Sequence, residues 1–229
     1  MPSKPRFAAS LMCLDFLRVQ AQLEVLNRRA DMLHVDIMDG HFAPNLALTP
    51  DLMQAFRRAS NLPMDAHLMT TQPGEWVDRV AEAGAHTISL PREALDTNAF
   101  RLLRRVEALG CRPGLVLCPA TPLSLAEHLL EVVDMLTVMT VDVGYAGQAF
   151  IPQMLQKLEQ ARNLKERHGY HYTIQVDGAC NRKNFAAMRL AGAEQFILGS
   201  SLFGNGEDLD AAYDAIMADF AQTTGEDVR

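Results

Sequence analysis

Nowhere does the sequence hold an uninterrupted apolar run of the roughly 18 residues that a membrane-crossing helix needs, so no span is expected. A signal-peptide core is missing too. Lys4 and Arg6 are followed by no apolar stretch of that kind before Asp15, which leads to the expectation of a cytoplasmic protein. Cysteine is scarce and unpaired: Cys13, Cys111, Cys118 and Cys180 are widely spaced with no CxxC, which points to free thiols, with neither a disulfide framework nor a cysteine zinc site. Positive charge is short as well. With 21 Lys and Arg against 28 Asp and Glu, the net charge is −7, which excludes a nucleic-acid backbone as partner. A phosphorylated metabolite would have to be met by backbone N–H groups, a few side chains or a metal. The lysines are Lys4, Lys157, Lys165 and Lys183, none in a candidate strand, so a Schiff-base aldolase has no nucleophile. A phosphate-sugar decarboxylase of the D-x-K-x-x-D type fails similarly, because Met38 stands where its lysine belongs. Low-complexity segments and Pro/Gly/Ser linkers are also absent, and 229 residues suit one domain spanning 1–229.

What the sequence does have is alternation. Short apolar runs at 7–13, 32–38, 64–69, 87–90, 114–118, 135–141, 173–176 and 195–198 read as eight strands. Amphipathic stretches with helical spacing lie between them, among them 17–29, 73–83, 98–109, 152–167 and 181–191. Thr49-Pro50-Asp51 and Gln72-Pro73 read as helix starts with proline in the first turn. Gly84, Gly110, Gly169 and Gly192 each sit where a helix needs a left-handed stop. Eight strands alternating with eight helices imply a parallel sheet, and right-handed crossovers close it into a (β/α)8 TIM barrel. A doubly wound sheet is the competitor, but Leu14-Asp15-Phe16 follows the first strand in place of a glycine-rich dinucleotide loop.

In such a barrel the chemistry belongs at the C-terminal strand ends. Side chains alternate along a strand, so in the second strand His34, Asp36 and Met38 share one face and Leu33, Val35 and Ile37 the other. The third strand puts Asp65, His67 and Met69 on one face, and the seventh ends in Asp177. A buried Asp without a partner is costly, so these residues are poor packing material. Together His34, Asp36, His67 and Asp177 make a mixed nitrogen and oxygen set for one divalent ion, with Zn2+, Mn2+, Fe2+, Co2+ and Mg2+ all admissible.

The last strands speak to phosphate. Gly199 and Ser200 end the eighth strand and Gly178 and Ala179 follow the seventh, the region where barrel enzymes offer converging N–H groups; tight turns would use glycine there as well. After the sixth strand, Gly144-Tyr145-Ala146-Gly147 reads either as a loop that closes over substrate or as an ordinary turn. Met12, Met38, Met69 and Met139 fall at or near strand ends, as core filler or as an adaptable pocket floor.

These residues lie in segments with a wider resemblance: Ser10-Leu11-Met12-Cys13, the stretch from His34 to Phe42, Asp65-Ala66-His67-Leu68-Met69, Val138 to Asp142, Gly147 to Pro152 and Val176 to Asn181. Through them the chain resembles the ribulose-phosphate 3-epimerase family over almost its whole length, and most closely its allulose-6-phosphate 3-epimerase branch. The resemblance implies an isomerase of carbohydrate metabolism in which His34, Asp36, His67 and Asp177 hold the metal. It implies that Asp36 and Asp177 exchange the C3 proton and that Ser10 and His67 contact substrate. It also assigns loop and phosphate contacts to the backbone of Gly144, Tyr145, Ala146, Gly147, Gly178, Ala179, Gly199 and Ser200. The expected conversion is D-allulose 6-phosphate to D-fructose 6-phosphate, with ribulose 5-phosphate as the alternative substrate and a non-catalytic phosphosugar-binding barrel as the alternative class. A homo-oligomer, a dimer, is the expected assembly. Two positions depart from the family pattern: Pro91 stands where a histidine is usual, replaced or deleted, and Val143 stands where proline is common.

Overall fold

A computed structural model of the chain describes residues 4–204 and 208–228; the remaining positions of the expected 1–229 span lie outside the described residues. Eight parallel strands pair in sequence order and close on themselves: β1 (Arg6–Ser10), β2 (Met32–Met38), β3 (Met64–Met69), β4 (Thr87–Pro91), β5 (Arg112–Leu117), β6 (Met135–Met139), β7 (Thr173–Asp177) and β8 (Gln195–Leu198). The helices between and after them are α1 (Val19–Arg29), α2 (Pro50–Ala59), α3 (Val77–Glu82), α4 (Ala99–Ala108), α5 (Met154–His168), α6 (Phe185–Ala191), α7 (Ser200–Phe203) and α8 (Leu209–Thr224). This is a (β/α)8 TIM barrel, as the alternation of apolar runs implies.

Local chemistry accounts for most boundaries. Thr49 caps α2, its hydroxyl accepting from the Leu52 amide at 3.2 Å, with Pro50 in the first turn. Gly169 ends α5 at φ 68, a left-handed stop that a side chain would strain. Three expectations shift. Residues Leu11–Cys13 leave the first strand as a 3-10 turn. The stretch after Gln72-Pro73 opens as a 3-10 turn, Pro73–Glu75, before α3. Between β5 and β6 there is no α-helix, only the 3-10 segments Leu123–Leu125 and Glu127–Val132, whose Leu123, Leu129 and Leu130 still cover the sheet.

The strands alternate as expected. Leu33, Val35 and Ile37 join the large core between sheet and helices, whereas the opposite faces fill the barrel. Near its N-terminal end the interior is plugged by Ala8, Met32, Met135 and Ile197. The β1–β8 seam that closes the barrel is backed by aromatic packing. Phe7 stacks on Phe196 at 5.8 Å, and Phe220 from α8 meets both edge-on at 5.1 Å. Each such pair adds about 0.5–1.5 kcal/mol beyond its buried area. Closure is what brings β7 near β2, and the site depends on it.

Candidate active site

Parallel register places the first pieces. Asp36 lies beside His67, His34 beside Asp65, and Ser10 of β1 beside His34. From the far side of the β1–β8 seam, β7 delivers Asp177. The result is a convergence of four donor atoms. His34 Nε2 lies 3.1 Å from Asp36 Oδ1 and 3.7 Å from Asp177 Oδ2; His67 Nδ1 lies 3.2 Å and 3.9 Å from the same two oxygens. All four residues offer one ligand atom within 4.8 Å of every other.

The environment is dry. His34, Asp36 and His67 are buried at 2% exposure or less, while Asp177 is partly open. Burial would push the Asp36 pKa up, but His34 and His67 outweigh it and hold the carboxyl well below the usual range. Asp177 moves the other way: burial first, then the charge of Asp36, push it up to about 6. Burial opposes charge on His34, yet Asp36 and Asp65 raise its pKa well above the ordinary value.

The same set fits a divalent ion. Its four donor atoms lie close enough together for one ion to reach them all. Two imidazoles and two carboxylates suit Zn2+, Mn2+, Fe2+ or Co2+. His67 Nε2 is buried with no hydrogen-bond partner, so the ring is anchored through its Nδ1 side alone. That is the side facing Asp36 and Asp177.

Above the quartet a narrow cleft opens to solvent. Asp36 and Asp177 form its floor with Met12, Met69, Met139 and Ile197; Gly144, Tyr145, Ala146 and Gly147 form one wall, and Gly178, Ala179, Gly199 and Ser200 another. Ser10 lines the cleft while donating its hydroxyl to Asp36 Oδ2 at 3.0 Å. His67 is fully buried beneath the floor, and Met38 packs with Met69 and Ala43 beside it. Gly178 has φ 107, and a Cβ there would meet Val141 Cγ2 at 2.5 Å, so the strand-to-loop turn after Asp177 requires glycine. Ala179, at φ 49, is the one non-glycine residue with positive φ among the described residues.

The loop after β6 is tied down despite Val143. Asn45 Nδ2 donates to the Gly144 carbonyl at 2.7 Å, the Tyr145 hydroxyl donates to the Pro44 carbonyl, and Gln148 Nε2 donates to the Tyr145 carbonyl at 2.8 Å. Loops 39–49 and 142–148 thus form one cover. Pro91 pairs with Val116 at the end of β4 and does not line the cleft. Glu93 is structural, its Oε1 accepting from the Cys118 amide at 2.9 Å and from the Thr121 hydroxyl.

The pattern of strand ends overlooked several participants. Cys13, Asp142, Gln148 and Asn181 also border the cleft, and no periodicity marks loop residues of this kind. Asp65 had a signal, sharing the inward face of β3 with His67; its oxygen Oδ2 sits 2.9 Å from His34 Nδ1.

Two aspartates on the floor of a cleft walled by glycine loops, with two histidines beneath them, narrow the comparison with known proteins. The ribulose-phosphate 3-epimerase family model matches residues 6–203. The chain belongs to this family. Ribulose-phosphate 3-epimerase 1 of Cupriavidus necator is 37% identical over 217 residues, covering 93% of this chain and 89% of that one. The Escherichia coli ribulose-phosphate 3-epimerase is 34% identical over 221 residues, covering 96% and 97%. Membership makes the chain an epimerase, an isomerase acting in carbohydrate-phosphate metabolism. Among solved structures, 3-hexulose-6-phosphate synthase superposes with a TM-score of 0.71 at 17% identity, covering 94% of this chain and 100% of that one. A mutant tryptophan synthase alpha-subunit from Pyrococcus furiosus gives 0.67 at 12%, covering 99% and 100%. Both share the barrel, and at that identity the fold alone. No helix among the described residues is long and apolar enough to cross a membrane.

Proposed function

We propose that this epimerase inverts C3 of a phosphorylated ketose by passing a proton between two carboxylates, Asp36 and Asp177. One observation carries the reading: two aspartates from strands separated by β1 and β8 converge on the floor of one cleft. Two carboxylates that reach one site from different walls are suited to be base and acid in the same turnover.

Inversion next to a carbonyl needs a proton removed from one face and returned to the other. Asp36 takes the C3 proton from one face and Asp177 delivers one from the opposite wall, and the roles exchange in the reverse direction. Ser10 orients Asp36 through its hydrogen bond. His34, Asp36, His67 and Asp177 would hold a divalent ion, which when bound supplies stabilisation of the negative charge that develops on the substrate oxygens. The methionine floor gives the sugar an apolar, adaptable seat. Backbone N–H groups around Gly178, Ala179, Gly199 and Ser200 receive the phosphate, and the paired loops exclude water.

The names of the relatives support D-ribulose 5-phosphate as substrate. A second reading, D-allulose 6-phosphate, rests on the resemblance of the Ser10–Cys13 and Asp177–Asn181 segments to that branch. C3–H exchange in heavy water, followed by NMR with each ketose phosphate after metal reconstitution, separates the two. Faster exchange with the pentose selects the first, faster exchange with the hexose the second. Binding of phosphoketose without exchange under any divalent ion would leave a non-catalytic binder and sink the proposal.

A further inference from the structure

We propose that Asp65, locked in place by Ser89, is a positioning residue that sets how tightly the quartet holds its divalent ion. The inference rests on reading the quartet as a metal site and adds residues outside it. Asp65 and Ser89 are both wholly buried. The two oxygens of Asp65 are divided: Oδ2 lies 2.9 Å from His34 Nδ1, and Oδ1 accepts the Ser89 hydroxyl at 2.6 Å. Among the described residues the one ion-pair partner of Asp65 is His34. A carboxylate buried without lysine or arginine is an expensive way to fill a barrel, and packing alone would be served by an apolar residue.

Its geometry gives it a task. A carboxylate can only accept from Nδ1, so that nitrogen keeps its proton and the ring presents Nε2 toward Asp36 and Asp177 as an electron-pair donor. Ser89 stops the carboxylate from rotating. Ser89 in turn depends on Gly114, its register partner on β5, because a Cβ at 114 would lie 2.4 Å from the Ser89 Oγ. The chain Gly114, Ser89, Asp65, His34 thus crosses four adjacent strands, each step inside the barrel and none touching the cleft.

The test is the zinc affinity of the full-length protein, stripped and then titrated with Zn2+ against a chromogenic chelator, with the melting temperature of each metal-free form alongside. Asp65→Asn should weaken zinc by about 10–100-fold, the range for lost partners of ligating histidines. Ser89→Ala and Gly114→Ala should agree with one another at a smaller loss, roughly threefold to tenfold, because both free the same oxygen. Ser89→Ala should lower the metal-free melting temperature as the loss of one buried hydrogen bond does, and the stabilisation added by zinc should shrink as well, a second change that a merely structural role would not produce. If Asp65→Asn does not fold, Ser89→Ala decides. Variants that bind zinc as tightly as the parent would overturn the proposal and leave the metal reading standing. A parent protein that binds neither Zn2+, Mn2+ nor Co2+ would overturn both.

Discussion

The floor of the cleft and its rim solve different problems with different materials. The floor is made of side chains on strands: Asp36 and Asp177 at the cleft, with His34 and His67 beneath them, joined at 3.1–3.9 Å. The rim is made of backbone. Gly144, Gly147, Gly178 and Ala179 all have positive φ, and the loops are held by bonds from Asn45, Tyr145 and Gln148 to main-chain carbonyls. Moving a proton needs groups whose position and proton affinity do not drift, which strands provide. Receiving a phosphate and closing over it needs free N–H groups and tight turns, which loops provide. Changes to the floor should therefore strike chemistry, and changes to the rim should strike binding and stability.

The sharpest way to break that division is Asp177→Asn. It removes one of the two proposed proton carriers and should cut C3–H exchange by about 10²–10⁴-fold while phosphate affinity stays nearly constant. Equal loss of both, measured by NMR exchange and by calorimetric titration with phosphoketose, would mean that the floor also carries binding. Next in size is Gly178→Ala at the junction of the two regions. Its Cβ would collide with Val141 in a left-handed conformation, so a loss of about 1–3 kcal/mol is expected in denaturant titration, with a raised KM.

A milder probe of the rim is Tyr145→Phe, which deletes the hydroxyl that ties loop 142–148 to Pro44. About 0.5–1.5 kcal/mol of loop stability should go, seen as a several-fold rise in KM with kcat little changed. A fall in kcat alone would place Tyr145 with the chemistry. The smallest effect concerns acid. Burial would raise the Asp39 pKa, but the Thr71, Phe42 and His41 amides and the Thr71 hydroxyl outweigh it and hold the carboxyl well below its usual range. A depressed carboxylate contributes stability above its unfolded value of about 3.9, and that contribution is lost as pH falls through the folded value. The melting-temperature gap between the parent and Asp39→Asn should accordingly be widest near pH 6 and shrink toward pH 3. Asp39 is near the surface, so the gap is a modest one.

Legibility in the sequence followed the same line between floor and rim. The period of two along β2 and β3 shows which residues share a face, and the burial of Leu33, Val35 and Ile37 in the outer core agrees with it. Apolar runs marked all eight strands because a parallel sheet covered by helices must be apolar on its outer face. The errors came where one local pattern serves two structures. Leu11–Cys13 is as apolar as the strand before it and forms a 3-10 turn, and the leucines between β5 and β6 cover the sheet without making an α-helix. Ser89 was invisible as a participant, since a serine in a strand carries no signal until its neighbour across the sheet is known.

By itself the sequence determined the alternation, the inward faces, the absence of a lysine nucleophile and the set of nitrogen and oxygen donors, all of which depend on neighbours a few residues apart. Tertiary structure alone decided that Asp177 meets Asp36, that Asp65 is held between His34 and Ser89, and that Tyr145 reaches Pro44. These contacts join segments far apart in the chain, and no local spacing encodes their distances. They exist because the sheet closes at the β1–β8 seam, and closure is a property of the packed barrel and not of any one strand.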